Sequence, residues 1–135
     1  MTVGLLIVSH GDIGRVLLQV AVEMLGDCPL AAETVSAPAG CDPDRILLQA
    51  REALRRLDSG DGVLVLNDMF GATPSNISCR LQERQPVRVV AGVNLPMLVR
   101  IFNYPQLDLE QLADKAVSGG RDGVIACTTG KAQDA

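Results

Sequence analysis

Apolar and polar positions along the chain alternate between two patterns. The runs Val3–Val8 and Val63–Leu66 contain no polar side chain, as expected of strands covered on both faces. Between them, apolar residues return at helical spacing. Residues 14–25 place Leu17, Ala21, Met24 and Leu25 on one stripe, and Gly26-Asp27 ends that helix. Asp42-Pro43 predicts the next helix start, with Asp as N-cap and Pro at the first helical position. Ile46, Leu47, Ala50, Ala53, Leu54 and Leu57 form its apolar face, leaving Arg51, Glu52, Arg55 and Arg56 to solvent. A weaker segment at 30–36 is the second strand, and Ser59-Gly60-Asp61-Gly62 is a turn.

Further along, the pattern predicts a helix over 74–83 with Thr73 as its cap, and a strand at Val87–Ala91. Gly92–Pro96 leads into a fourth helix, a fifth covers 108–117, and Gly123–Thr128 is a short last strand. The order β-α-β-α-β-α-β-α-α-β predicts a doubly wound α/β fold, a mostly parallel sheet with right-handed crossovers. The 135 residues suit a single domain over 1–130 with a tail at 131–135. A chain of this size buries about two-thirds of its unfolded surface and folds without a disulfide or metal.

Composition narrows the functional classes. With one Tyr, two Phe and no Trp, the core is aliphatic and stacking platforms for bases are nearly absent. Net charge is −4 with no basic block, which argues against nucleic acid or an anionic membrane as partner. The apolar runs are too short to span a bilayer, and the N-terminus lacks signal-peptide features. Cys28, Cys41, Cys79 and Cys127 form no C-x-x-C pair, and one histidine gives no Cys/His cluster. They read as reduced thiols of a cytoplasmic protein, with no metal and no cofactor expected.

Ligands of such sheets collect beyond the carboxyl ends of the strands, where strand order reverses. Three loops at that edge carry chemistry: Ser9-His10-Gly11-Asp12, Asn67–Pro74 and Gly92–Pro96. In the strand order 2-1-3-4 the first and third strands are neighbours, about 4.8 Å apart. His10 and Asp68, each at a strand end, then come within side-chain reach. A carboxylate on one imidazole nitrogen fixes the tautomer and leaves the other nitrogen as nucleophile. Thr73-Pro74 opens a helix whose free N–H groups and dipole favour an anion, Gly71 permits close backbone approach, and the Thr73 hydroxyl can donate to phosphate. On pattern alone each piece has an ordinary reading: His10 as a loop residue, Asp68 as a turn residue, Thr73-Pro74 as a plain helix start.

At these loops the chain resembles the mannose-family IIA component of the bacterial phosphoenolpyruvate:sugar phosphotransferase system. The likeness covers about residues 2–128 and rests on Val8-Ser9-His10-Gly11, on Asn67–Asn76, and on Ala91–Leu98. The resemblance implies that His10 is phosphorylated, that Asp68 holds it, and that Thr73 lies near the phosphoryl group. It implies HPr as donor, a IIB protein or domain as acceptor, and a homodimer. In that dimer a fifth antiparallel strand, matched by Gly123–Thr128, is exchanged onto a four-stranded parallel sheet; the alternative is a strand on its own sheet. Phe70 stands where the family often has Trp, and Ser75 where some members have an apolar residue. The chain also ends without the linker and IIB domain that some members carry fused.

The expected site therefore has His10 and Asp68 as the reactive pair. Thr73, Gly71, Ala72 and Ser9 are the expected phosphate contacts, and Phe70, Met69, Asn94 and Pro96 the surface met by partners. The leading function is a phosphoryl-carrying IIA protein of sugar uptake. A regulatory protein switched by His10 phosphorylation uses the same site. The phosphoryl donor of dihydroxyacetone kinase and a flavodoxin-like small-molecule binder are further alternatives.

Overall fold

The apolar runs become the centre of a parallel sheet. The computed structural model describes residues 2–83 and 86–128. Its elements are β1 (Gly4–His10), α1 (Ile13–Leu25), β2 (Ala32–Ala37), α2 (Pro43–Leu57), β3 (Val63–Asn67), α3 (Thr73–Arg80), β4 (Val87–Ala91), α4 (Leu95–Phe102) and α5 (Leu109–Asp122). A 3-10 turn at Leu81–Glu83 follows α3. The four strands pair in parallel in the order β2-β1-β3-β4, the expected order.

Alternation along the strands divides the core in two. Leu5, Ile7, Leu64 and Leu66 face one layer, with Ala21 of α1, Leu98 and Ile101 of α4, and Leu112 of α5. Leu6, Val8, Val63 and Val65 face the other, with the α2 stripe and Ile77 of α3. Each fully buried Leu or Ile contributes about 1.5–3 kcal/mol relative to exposure. Both faces are covered, so β1 and β3 must be apolar throughout until they reach the carboxyl edge. There the register sets Val8 opposite Asn67, and Asn67 opposite Ala91.

The second helix follows its sequence signals closely. Asp42 Oδ1 accepts the Asp44 N–H at 3.1 Å, Pro43 is the first helical residue, and all six stripe residues are buried. Elsewhere tertiary contacts move the boundaries. β2 begins at Ala32, opposite Leu5, and Leu30 is buried in the turn before it. In α1, Met24 and Leu25 are 59% and 38% exposed, against the expected stripe. The helix packs on both the sheet and α4, and this double contact selects Leu17, Leu18, Ala21 and Val22. α3 starts at Thr73 with Ala72 as its extended N-cap, so Thr73 is its first residue rather than its cap.

α5 runs to Asp122, five residues past the expected end, straight through Gly119 and Gly120. Glycine there is a poor helix former but a close neighbour of α4. A Cβ on Gly119 would come within 2.4 Å of the Arg100 Cβ. The helix persists because it packs where a side chain could not. Gly123 then closes α5, and residues 124–128 form no strand on this chain's own sheet. Val124 and Ile125 are 77% and 63% exposed. The Gly123 N–H bonds back to the Gly119 carbonyl at 3.3 Å, so the chain leaves the helix without reaching β4. The expected tail at 131–135 lies outside the described residues.

Gly119→Ala tests this packing. In an exposed helix the change would stabilise; here it is expected to cost about 1–3 kcal/mol through overcrowding, read as a lower urea midpoint.

Candidate functional site

The last residue of β1 is His10, and the first residue past β3 is Asp68. Because β1 and β3 are hydrogen-bonded neighbours, both reach the same edge. Asp68 Oδ2 accepts two hydrogen bonds from one residue: the His10 backbone N–H at 3.0 Å and the ring Nδ1 at 2.8 Å. The backbone bond fixes where the residue sits, and the ring bond fixes how it turns. The imidazole is 47% exposed and the carboxylate 10%. An ionised carboxylate only accepts, so Nδ1 carries the proton of the neutral ring and Nε2 keeps its lone pair. Among the described residues Nε2 has no hydrogen-bond partner. The ring is thus oriented from behind and open in front.

Ser9 does a different job from the one expected of it. It is buried, and its Oγ accepts the Gly14 N–H at 2.8 Å. That satisfies one of the donors left open at the start of α1, where Asp12 makes no side-chain cap. Ser9 therefore anchors the His10 loop to α1 and does not face an outside anion.

At the second loop Gly71 has φ 85°, a left-handed backbone, with open space where a Cβ would stand. That conformation favours glycine, and the open space leaves its backbone approachable. The Ala72 N–H is taken by the Met69 carbonyl at 3.4 Å. The amides of Thr73 and Ser75 have no acceptor among the described residues, and the Thr73 side chain is exposed with no partner. So the start of α3 keeps free donors, as expected, although its cap lies one residue earlier. α3 packs on both β1 and β3, which directs its start toward the edge that carries His10.

The partner surface divides. Phe70 and Met69 are 82% and 58% exposed, large apolar side chains beside Asp68. Asn94 instead turns inward: its Oδ1 accepts the Met97 N–H at 2.9 Å and its Nδ2 donates to the Gly120 carbonyl at 3.0 Å. It caps α4 and ties it to α5, an internal role in place of the expected docking one. Pro96 is exposed on one side and backs Gly123 on the other.

Two features escaped sequence reasoning. Ile13 and Val16, on the first turns of the helix that follows the His10 loop, stand 48% and 45% exposed. Their signal was present, as apolar residues off the stripe. Asn67 is fully buried, and neither its Nδ2 nor its Oδ1 has a hydrogen-bond partner among the described residues. Asp68 Oδ1 is likewise buried and unpaired. A polar group left so costs about 1–3 kcal/mol. The described residues contain no group of three His, Cys, Asp or Glu that could hold a metal ion. They contain no helix long and apolar enough to cross a membrane.

A family model described as "PTS system fructose IIA component" (EIIA-man) matches residues 4–117. The PTS system mannose-specific EIIAB component of Escherichia coli K12 is 33% identical over 129 residues, 93% of this chain and 40% of that protein. The transcriptional regulatory protein LevR of Bacillus subtilis is 30% identical over 148 residues, 95% of this chain and 15% of LevR. Among solved structures, the mannose/sorbose specific IIA subunit from Enterococcus faecalis superimposes with a TM-score of 0.86 at 26% identity, covering 98% of this chain and 99% of that one. The chain spans about 40% of the length of the first curated relatives it matches.

Fold and matches together define an α/β domain of the phosphotransferase-system IIA type. The chain belongs to the mannose-type IIA family of the bacterial phosphoenolpyruvate:sugar phosphotransferase system. Its members are phosphotransferase proteins, and membership supports a phosphoryl-carrier role in that system.

The geometry makes a prediction independent of that role. Nitrogen-15 NMR of the neutral His10 ring is expected to show the Nδ1-protonated tautomer, and Asp68→Ala is expected to lose that preference. An unchanged tautomer in the variant would leave Asp68 as a turn residue.

Proposed function

We propose that this protein accepts a phosphoryl group from phospho-HPr on Nε2 of His10 and passes it to a IIB protein for sugar uptake. The observation that carries the reading is the Nδ1 to Asp68 Oδ2 bond of 2.8 Å on a half-exposed ring. In the transfer, the Nε2 lone pair forms a bond to phosphorus while the donor–phosphorus bond breaks and its electron pair stays on the donor. Nδ1 keeps its proton, the ring becomes cationic, and the Asp68 carboxylate offsets that charge. Near the α3 start, free amides and the helix dipole favour the phosphoryl dianion by about 0.3–1 kcal/mol each, and the Thr73 hydroxyl donates to one of its oxygens. Metal is not required by such a scheme, because positioning and electrostatics do the work.

Phe70 and Met69, with Ile13 and Val16, give the incoming carriers an apolar landing next to the ring. A homodimer in which residues 123–128 cross to the partner's sheet is part of the same reading. It is supported by β4, an edge strand of the sheet, and by Val124 and Ile125, which project from this chain uncovered. A groove of about 340 Å³ at the carboxyl end of β4 is lined by Val90, Met97, Val117 and this chain's own Val124. The free thiols support a cytoplasmic location.

A second reading, regulation through the phosphorylation state of His10, is favoured by the match to LevR, a transcriptional regulator. Both readings use one site and separate on the partner. Phosphoryl transfer onward to a IIB protein marks transport; its absence, with partner binding that depends on phosphorylation, marks regulation.

Incubation with phosphoenolpyruvate, enzyme I and HPr is expected to add one phosphoryl mass that acid removes and alkali spares. His10→Ala is expected to stay folded and to gain none; label on that variant would remove His10 from the mechanism. Thr73→Val is expected to shorten the phosphoryl lifetime several-fold while leaving the unfolding midpoint within about 0.5 kcal/mol of the parent. An unaltered lifetime would make Thr73 a plain helix residue.

A further inference from the structure

Asn67 closes β3 at the one point where that strand stops being apolar. Alternation carries its side chain onto the face of Val63 and Val65, the face that α3 covers. Its backbone carbonyl is engaged, accepting the N–H groups of Gly92 and Val93, both at 2.9 Å. The side chain is another matter. It is completely buried, and both ends of the amide lack a partner among the described residues. A Leu or Val would fill the same place with no unpaired groups. The next residue is Asp68, whose Oδ2 holds His10 while its Oδ1 is also buried and unpaired. One orphaned donor and two orphaned acceptors thus stand on consecutive residues, the second of which holds the His10 ring. Buried polar groups that lower stability in this way gather at working sites.

We infer that Asn67 is a positioning residue for the phosphoryl step. Its Nδ2 donates to Asp68 Oδ1 when the 68–72 turn and the start of α3, with the unpaired amides of Thr73 and Ser75, close on the phosphoryl group of His10. The inference rests on the proposed His10 chemistry. In the free protein the carboxylate has one oxygen engaged. In the phosphorylated protein both are engaged, which holds the carboxylate in line with a ring that has become cationic. Phosphorylation and the closing of the turn then favour each other.

Asn67→Leu separates this role from a structural one. The free variant is expected to have a urea midpoint equal to or above the parent's, since unpaired groups leave the core. Phosphoryl uptake from phospho-HPr, followed by rapid quench, is expected to slow about tenfold or more, the factor that one hydrogen bond to a charged group is worth. Asn67→Ser, which keeps a short donor, is expected to recover part of that rate. In the parent, the Asn67 side-chain NH₂ signal is expected to move downfield on phosphorylation. Parental uptake rates in Asn67→Leu, or an NH₂ signal that ignores phosphorylation, would overturn the inference. If the parent itself takes no phosphoryl group, it is the His10 reading that has failed.

Discussion

The structure's chemistry depends on one carboxylate oxygen. Asp68 Oδ2 takes the backbone N–H and the ring Nδ1 of His10 together, at 3.0 and 2.8 Å. A single backbone bond would place the residue and leave its ring free to turn. A single ring bond would orient it on a mobile loop. Both bonds to one oxygen lock position and tautomer at once, and only the pairing of β1 with β3 allows them. The two residues are 58 positions apart in the chain, so the site exists only when the sheet does.

The rest of the edge serves that geometry. Ser9 is buried to anchor the loop on α1, Gly71 takes a left-handed turn so that α3 starts nearby, and Asn94 ties α4 to α5 behind the third loop. These polar groups are spent inward, on holding backbone. Phe70 and Met69, beside Asp68, are apolar side chains left exposed. This division between inward polar supports and outward apolar contacts lets a small aliphatic domain hold the His10 ring at its surface in one orientation.

Much of this was legible beforehand. Val3–Val8 and Val63–Leu66 announced buried strands because a two-sided environment tolerates no polar side chain. Asp42-Pro43 announced a helix start because capping is local. His10 and Asp68 were legible as a pair because each follows an apolar run. Less visible were the roles of Ser9 and Asn94, since one hydroxyl or amide fits a phosphate, a partner or a backbone N–H equally well. Asn67 was legible only as the start of a loop, as its oddity is burial without a partner, which a residue name does not disclose. Gly119 and Gly120 misled for a related reason: as local signals they end a helix, yet α4 lies against them.

By itself the sequence determined the order and type of the elements as far as α5, the sheet edge where His10 and Asp68 meet, and the family. Periodicity, capping and turn residues act over a few positions and are written in the chain. Tertiary structure alone decided that one oxygen grips His10 twice, that Ser9 and Asn94 face inward, that Asn67 is sealed without a partner, and that residues 124–128 find no place on their own sheet. Each of those depends on distances between segments far apart in the chain, which are set by packing and by strand register rather than by local preference.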